Sequence, residues 1–159
     1  MKIIKVISLV LIFLAVSCSS DDDNDLKNEP CVDFSDGIGG QSFLIGNWKL
    51  LEYADSVRGC ITTECKKRST ISFTETEIKG TEFFSEGDIC DEEAERNATY
   101  TIEENRIVSN IVLFEIGNGI EPQNTTFTAT NDSLRIIFEF ESQNNDIGKV
   151  KEVYLFEKI

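Results

Sequence analysis

Alternation of apolar and mostly polar side chains over short segments is the feature that most restricts the fold of this chain. It is clearest in residues 133–141 (SLRIIFEFE), where every second residue is apolar: Leu134, Ile136, Phe138 and Phe140. Successive side chains of a β-strand point to opposite faces, so this segment is predicted to be a strand with one face in a core. No stretch of a dozen residues after residue 43 shows the apolar period of an α-helix. The folded part is therefore predicted to be all-β.

Seven further segments read as strands, each bounded by polar turn residues. The eight predicted strands are residues 44–54, 69–74, 77–84, 98–103, 106–115, 125–130, 133–141 and 150–158. Asn, Asp and Gly cluster between them, as at residues 144–148, and these residues favour turns. An acidic loop containing Cys90 is expected between the third and fourth strands. Eight strands joined in order by turns fit a single antiparallel up-and-down barrel or a sandwich.

Residues 1–17 are typical of an export signal. Lys2 and Lys5 lie near an apolar run from Val6 to Val16, which is shorter than the roughly 17–25 residues that span a bilayer as a helix. Residues 15–18 (AVSC) resemble the lipobox of bacterial lipoproteins. This resemblance implies cleavage after Ser17 and acylation of the new N-terminal Cys18 with palmitate or similar chains.

Residues 18–42 are predicted to form an extended acidic tether and arm. Asp21, Asp22, Asp23 and Asp25 repel one another and stay solvated, and only Val32 and Phe34 are expected to pack. The acidic run behind Cys18 also resembles the export signal of Bacteroidota-type surface lipoproteins. That resemblance implies a protein anchored by lipid in the outer membrane, at the cell surface. The predicted division is thus 1–17 signal peptide, 18–42 tether and 43–159 barrel domain.

If Cys18 carries lipid, four of the five cysteines remain available for disulfides. The others, Cys31, Cys60, Cys65 and Cys90, form an even set, which outside the cytoplasm indicates two disulfides with three possible connectivities. The preferred pairing is Cys65 with Cys90, to staple the opening hairpin, and Cys31 with Cys60, to pin the arm to the domain. A zinc site is disfavoured because the spacing lacks paired C-x2-C motifs.

Composition excludes several classes of function. The formal charge is −14, and loss of Lys2 and Lys5 with the signal leaves 13 basic against 29 acidic residues, or −16. Such a chain has no general surface for the phosphates of nucleic acid. It has no His, so Ser-His-Asp and Cys-His catalysis and His metal sites are absent. The carboxylates of residues 91–95 are predicted to form a solvated loop. No catalytic residue, metal or cofactor is predicted.

The first predicted strand carries the sequence Leu44-Ile45-Gly46-Asn47-Trp48. Its Gly46-x-Trp48 pair resembles the motif that opens lipocalins and their bacterial relatives, in which the Trp closes one end of the barrel and the Gly permits close passage of the chain. With the strand count and the cysteines, residues 43–159 resemble the lipocalin-like domain lipoproteins of the Bacteroidota type. The resemblance implies a lipocalin-like barrel with a potential internal cavity.

Apolar side chains at the predicted inner positions are interpreted as core: Trp48, Phe73, Tyr100, Phe127, Phe138 and Tyr154. The leading expectation for function is a non-enzymatic module that binds a small apolar or amphipathic molecule in or at the mouth of the barrel. The alternative is an interaction subunit that docks to a surface protein or polysaccharide through the barrel exterior. The sequence identifies neither the ligand-binding residues nor a protein partner.

Overall fold

A computed structural model describes residues 31–86, 89–92, 95–109, 124–144 and 146–159. Its helical elements are the short α-helix α1 (Gln41–Leu44) and a 3-10 turn at Lys66–Arg68. Its strands are β1 (Gly46–Asp55), β2 (Gly59–Cys60), β3 (Thr70–Phe73), β4 (Glu77–Thr81), β5 (Phe83–Glu86), β6 (Ile89–Glu92), β7 (Arg96–Glu103), β8 (Arg106–Ser109), β9 (Asn124–Ala129), β10 (Ser133–Glu141) and β11 (Lys149–Lys158).

Eight of these strands form a closed antiparallel barrel in the order β1, β3, β4, β7, β8, β9, β10, β11. Each strand pairs with the next, and β11 pairs with β1 from Lys158 opposite Trp48 to Glu152 opposite Asp55. The all-β up-and-down barrel predicted from the alternation is confirmed, and the sandwich alternative is wrong because the β1–β11 pairing closes a single sheet. Closure leaves the long strands without a free edge.

The interior of the barrel is the main core of the protein. The inward residues of β10 are the four that alternation predicted, and all are buried. The six predicted core aromatics also belong to this cluster, from Trp48 in β1 to Tyr154 in β11. A bulge between Leu50 and Glu52 keeps both Leu50 and Tyr53 on the inner face, although they are three residues apart.

The two ends of the barrel differ in their connections. At the closed end, tight turns at residues 74–76, 104–105 and 130–132 join the strands, and α1 lies beside them. At the opposite end, the mouth, the connections are longer and span residues 56–69, 82–95 and 142–148. The mouth connections contain β2, the 3-10 turn and the β5–β6 hairpin. Residues 110–123, between β8 and β9, lie outside the described residues.

Residues 31–40 form an arm that crosses the outside of the barrel. Val32 is buried with Ala54, Ile137 and Val153, and Phe34 packs against this outer cluster, as predicted for these two residues. The arm ends in a parallel bridge between Gly39 and Thr128. The packing of Val32 and Phe34 and the bridge at Gly39 therefore fix the path of the chain before the first strand.

Gly40 is required at the junction of the arm and α1. Its φ of +111° lies in the left-handed region, which L side chains rarely adopt. A Cβ at this position would also lie 2.2 Å from the carbonyl oxygen of Ala129. The close approach of the arm to β9 thus depends on glycine.

Two details of the predicted strands are wrong. Residues 77–84 are divided into β4 and β5 at Glu82, whose buried carboxylate pairs with Lys66 instead of extending the ladder. Cys90 lies in strand β6 rather than in a loop, because residues 89–92 pair with β5. The predicted fifth strand is present as β8 at residues 106–109, and its remainder, 110–115, lies outside the described residues.

The cysteines pair as Cys31–Cys60 and Cys65–Cys90, the connectivity that the sequence analysis preferred. The first bridge ties the arm to β2, as expected. The second joins the 3-10 turn to β6, so it spans two mouth connections and not one hairpin. Across the described ranges, no helix is long and apolar enough to cross a membrane.

Candidate functional site

The closed half of the barrel interior is filled with apolar side chains. Trp48 is fully buried there, and its indole Nε1 donates a hydrogen bond to the carbonyl oxygen of Leu44 at 2.9 Å. The Lys158 ammonium lies 4.9 Å from the Trp48 ring centroid. Phe127, Phe156 and Leu134 are also fully buried. Trp48 of the Gly46-x-Trp48 motif therefore closes this end of the core, as the resemblance implied.

The mouth half of the interior combines polar side chains with apolar ones such as Phe138 and Phe140. Five side chains define what we call the mouth cluster: Tyr53, Lys66, Glu82, Glu152 and Tyr154. The Tyr53 and Tyr154 rings lie 4.6 Å apart between centroids, and the Tyr154 hydroxyl donates to Glu152 Oε2 at 3.4 Å. An inner surface of aromatic faces with a few convergent polar groups is typical of small-molecule sites.

Lys66 enters the mouth from the 3-10 turn. Its ammonium forms an ion pair with Glu82 and lies 4.9 Å from the Tyr53 ring centroid and 5.8 Å from that of Tyr154. The Lys66 and Glu82 side chains are only 15% and 5% exposed. An ammonium over aromatic faces is stabilised by the ring quadrupoles, so Lys66 bridges the carboxylate and the tyrosines.

The turn that carries Lys66 is held over the mouth by further contacts. The Cys65–Cys90 disulfide joins it to β6, and the Arg68 guanidinium lies 4.2 Å from the Phe83 ring centroid. Ser69 Oγ accepts a hydrogen bond from the Phe83 backbone N–H at 2.9 Å. The 3-10 turn and the β5–β6 hairpin thus form one cover across part of the mouth.

Asp55 stabilises the turn between β1 and β2, at the mouth end of the barrel. Its Oδ1 accepts a hydrogen bond from the Val57 backbone N–H at 2.8 Å, and its Oδ2 forms an ion pair with Arg58. A side-chain oxygen that accepts backbone N–H groups two and three residues on stabilises a tight turn. Asp55 lies opposite Glu152 in the β1–β11 ladder, so two carboxylates face each other at the rim.

Burial governs the acid–base properties of the cluster. It raises the pKa of Glu152, and the nearby charge of Asp55 raises it further, while hydrogen bonds from Tyr53 and Tyr154 and the charge of Lys66 oppose the rise. Burial also raises the pKa of Tyr53 and of Tyr154, followed in each case by the negative charge of Glu152. Both phenols therefore stay protonated at neutral pH and remain hydrogen-bond donors.

The other candidate sites bring fewer functional groups together. Two open depressions of about 420 Å³ lie on the outside of the barrel, one lined by Arg106, Asn124, Glu139 and Lys149 and the other including Asn47 and Lys79. Within the described residues, no group of three or more acidic, Cys or His side chains is arranged to hold a metal ion. The mouth cluster is therefore the site with the most convergent chemistry.

The structure separates the residues singled out by sequence. Gly46 and Trp48 lie at the closed end, the cysteines lie along the arm and mouth connections, and Cys18 lies outside the described residues. Asp91 is exposed and Glu95 pairs with Lys79 at 2.6 Å, while the side chains of Glu92 and Glu93 are outside the described part.

The mouth cluster itself was missed by sequence reasoning. One signal was available in β11, where Val150, Glu152, Tyr154 and Phe156 share the inward face. A carboxylate at one of these alternate, inward positions is expected to be buried. The Lys66–Glu82 pair has no comparable local signal, since 16 residues and a disulfide-bonded turn separate the partners.

The barrel topology, the buried Trp48 and the polar mouth define a lipocalin-like barrel. The lipocalin-like domain family matches residues 44–150, and the chain belongs to this family. Comparison with curated proteins gives no match.

Proposed function

We propose that this protein is a lipid-anchored, non-enzymatic module that holds a small amphipathic molecule at the mouth of its barrel. A lipocalin-like barrel fits a binding role, and the family generally binds ligands rather than catalysing reactions. The observation that carries the proposal is the mouth cluster, an inward-facing set of tyrosines and charged groups above an apolar core. Buried polar groups cost stability unless they are paired, so a barrel under selection for packing alone gains nothing from them.

The chemistry of the mouth suggests how the ligand is held. The closed half is filled by Trp48, Phe127 and Phe156, so the ligand binds near the rim and not deep in the barrel. Its apolar part packs on the ring of Tyr53, which is half-buried, and not on that of Tyr154, which is fully buried. Its polar part receives hydrogen bonds from the phenols or from Lys66, with Glu152 as the acceptor for a donor group.

Binding of a fluorescent amphipathic probe, N-phenyl-1-naphthylamine, tests this proposal. We expect the folded protein to bind it saturably, and Tyr53→Ala to weaken binding by about tenfold, the loss of roughly 1.4 kcal/mol for an aromatic contact. Leu51→Ala is the matched control, because Leu51 lies in the same strand and is exposed on its outer side. Absence of binding, or equal loss in both variants, contradicts the proposal.

The anchor is proposed from Cys18 and the apolar segment before it. Replacing Cys18 by Ser removes the acylated sulfur, and each buried CH2 of an acyl chain contributes about 0.8 kcal/mol to membrane binding. We expect Cys18→Ser to move the exported protein from the membrane fraction to the soluble fraction. Ser19→Ala is the control. Unchanged fractionation of Cys18→Ser refutes the anchor.

A second candidate function is docking of a partner at the closed end. Ile38, Ile45 and Ile159 are exposed there, and the Lys158 ammonium donates to the Ile45 carbonyl oxygen at 3.2 Å, which holds the C-terminus beside α1. Exposed apolar side chains close together mark interaction surfaces. This alternative predicts that Ile45→Ser with Ile159→Ser abolishes association with a partner and leaves probe binding unchanged.

A further inference from the structure

The arm determines where the tether leaves the barrel. Cys31 is bonded to Cys60, and Cys60 lies in β2 opposite Ala54, next to the last residue of β1 at the mouth. Val32 follows at once and is buried against Ala54 and Val153. The chain that runs back from Cys31 toward Cys18 therefore departs from the mouth half of the barrel and not from the closed end.

The length of the chain before Cys31 limits how far the mouth lies from the anchor. Thirteen residue steps separate Cys18 from Cys31, and they span at most about 45 Å when fully extended. The barrel itself is about 25 Å tall, given strands of up to ten residues tilted by about 40°. A lipid at Cys18 thus keeps Cys31, and with it the mouth half of the barrel, within about 45 Å of the membrane.

The mouth connections carry exposed apolar side chains suited to that position. Val57 lies in the turn after β1, Phe84 and Ile89 lie in the β5–β6 hairpin, and Ile147 lies in the β10–β11 connection; all four are exposed. They come from three separate connections of the same end. Isolated apolar side chains on a surface are ordinary, but a set of them around one rim next to a lipid anchor matches a membrane-contacting face.

The charges of the mouth connections are compatible with a zwitterionic lipid surface. Three cations of these connections form ion pairs within the protein, Arg58 with Asp55, Lys67 with Glu64, and Lys149 with Glu139. The exposed Arg68 guanidinium lies over the Phe83 ring. Without Lys2 and Lys5 of the signal, the chain carries 13 basic against 29 acidic residues, or −16, so an anionic surface would repel it. Apolar contact and not charge attraction therefore governs the docking.

We infer that the mouth of the barrel faces and touches the lipid bilayer, with Val57, Phe84, Ile89 and Ile147 at the contact. The inference rests on the proposed lipid anchor at Cys18. It also specifies the source of the ligand, because a mouth that opens onto the bilayer exchanges amphipathic molecules with the membrane surface.

Two single-Trp additions test the orientation. Ile147→Trp places a reporter in a mouth connection, and Ile45→Trp is the matched control at the closed end, since the two isoleucines are 43% and 51% exposed. The lipidated proteins are reconstituted into phosphatidylcholine vesicles with and without bromine on the acyl chains. Brominated chains quench nearby indoles, and the buried Trp48 supplies a constant background.

The inference predicts that the Ile147→Trp protein loses most of its added fluorescence in brominated vesicles and that the Ile45→Trp protein does not. Equal quenching, or quenching of Ile45→Trp alone, overturns the orientation. Flotation of both proteins with the vesicles reports on the anchor separately. A protein that fails to float contradicts the proposed anchor and the inference together, whereas a floating protein without selective quenching contradicts only the inference.

Discussion

Residue 152 lies at an inward position of its strand, where an apolar side chain is expected, but the residue there is a glutamate. Glu152 shares the inner face of β11 with Val150, Tyr154 and Phe156, and it is 4% exposed. Its hydrogen bond from Tyr154 and the nearby Lys66 charge reduce the cost of burial. Glu152 therefore contributes, with the Lys66–Glu82 pair, to the polar character of the mouth.

Stability should vary with pH through Glu152. Because the folded pKa is raised above 4.5, its contribution to stability is fully present below about pH 4.5 and is lost as pH rises through the folded pKa. We expect the stability of the wild-type protein, relative to Glu152→Gln, to fall as pH rises from about 4.5 through the raised folded pKa of Glu152. Thermal unfolding of both proteins across this range measures the difference.

Glu157→Gln is the control for this experiment. Glu157 lies in the same strand and is exposed. Its removal should leave the pH dependence of unfolding close to that of the wild-type protein. If Glu152→Gln and Glu157→Gln show the same pH dependence, Glu152 does not titrate as a buried group.

The two neighbouring lysines of the 3-10 turn should contribute very differently to stability. Lys66→Met leaves the buried Glu82 without its ion-pair partner and is expected to lower the free energy of unfolding by about 3 kcal/mol. Lys67→Met removes a pair whose side chains are 40% and 90% exposed, with an expected change under about 0.5 kcal/mol. Chemical denaturation compares the variants, and equal losses would mean that the Lys66 pair is not buried in solution.

At the scale of elements, the arm is expected to depend on its disulfide. Cys31 and Cys60 lie 29 residues apart, so replacing both by Ser should cost about 2–4 kcal/mol of stability. The arm should then become sensitive to limited proteolysis within residues 31–40 while the barrel resists. The matched control replaces Cys65 and Cys90, which frees the mouth connections instead. An arm that stays protected without its disulfide would show that Val32 and the bridge at Gly39 suffice to hold it.

Local alternation explains which elements were predictable. Strand β10 was predicted at its observed bounds because Leu134, Ile136, Phe138 and Phe140 fill every second position, although Ile137 on the outer face is also apolar and is buried in the outer cluster. The break at Glu82 was not predictable, since the carboxylate turns inward to meet Lys66 from another connection. Strand β6 was missed because Asp91 and its acidic neighbours have low strand propensity, and pairing with β5 and the Cys65–Cys90 bond override that preference.

At the scale of the whole molecule, closure of β11 on β1 gives the barrel an apolar closed end and a polar mouth. Closure of one end by a buried Trp could be predicted from sequence, because the Gly46-x-Trp48 motif lies at the start of a single strand. The mouth depends on pairs that are distant in sequence, such as Glu152 with Tyr53, which come together only when the first and last strands pair. The candidate site is thus a product of the barrel topology more than of any local motif.

The most direct test of the account locates a ligand within the barrel. Backbone amide chemical shifts of the isotope-labelled soluble Cys18→Ser protein are followed while N-phenyl-1-naphthylamine is added. We expect saturable shifts for the amides of Tyr53, Lys66, Glu152 and Tyr154, with those of Leu44 and Trp48 unchanged. Shifts confined to the closed end or the outer face, or no shifts at all, would contradict binding at the mouth.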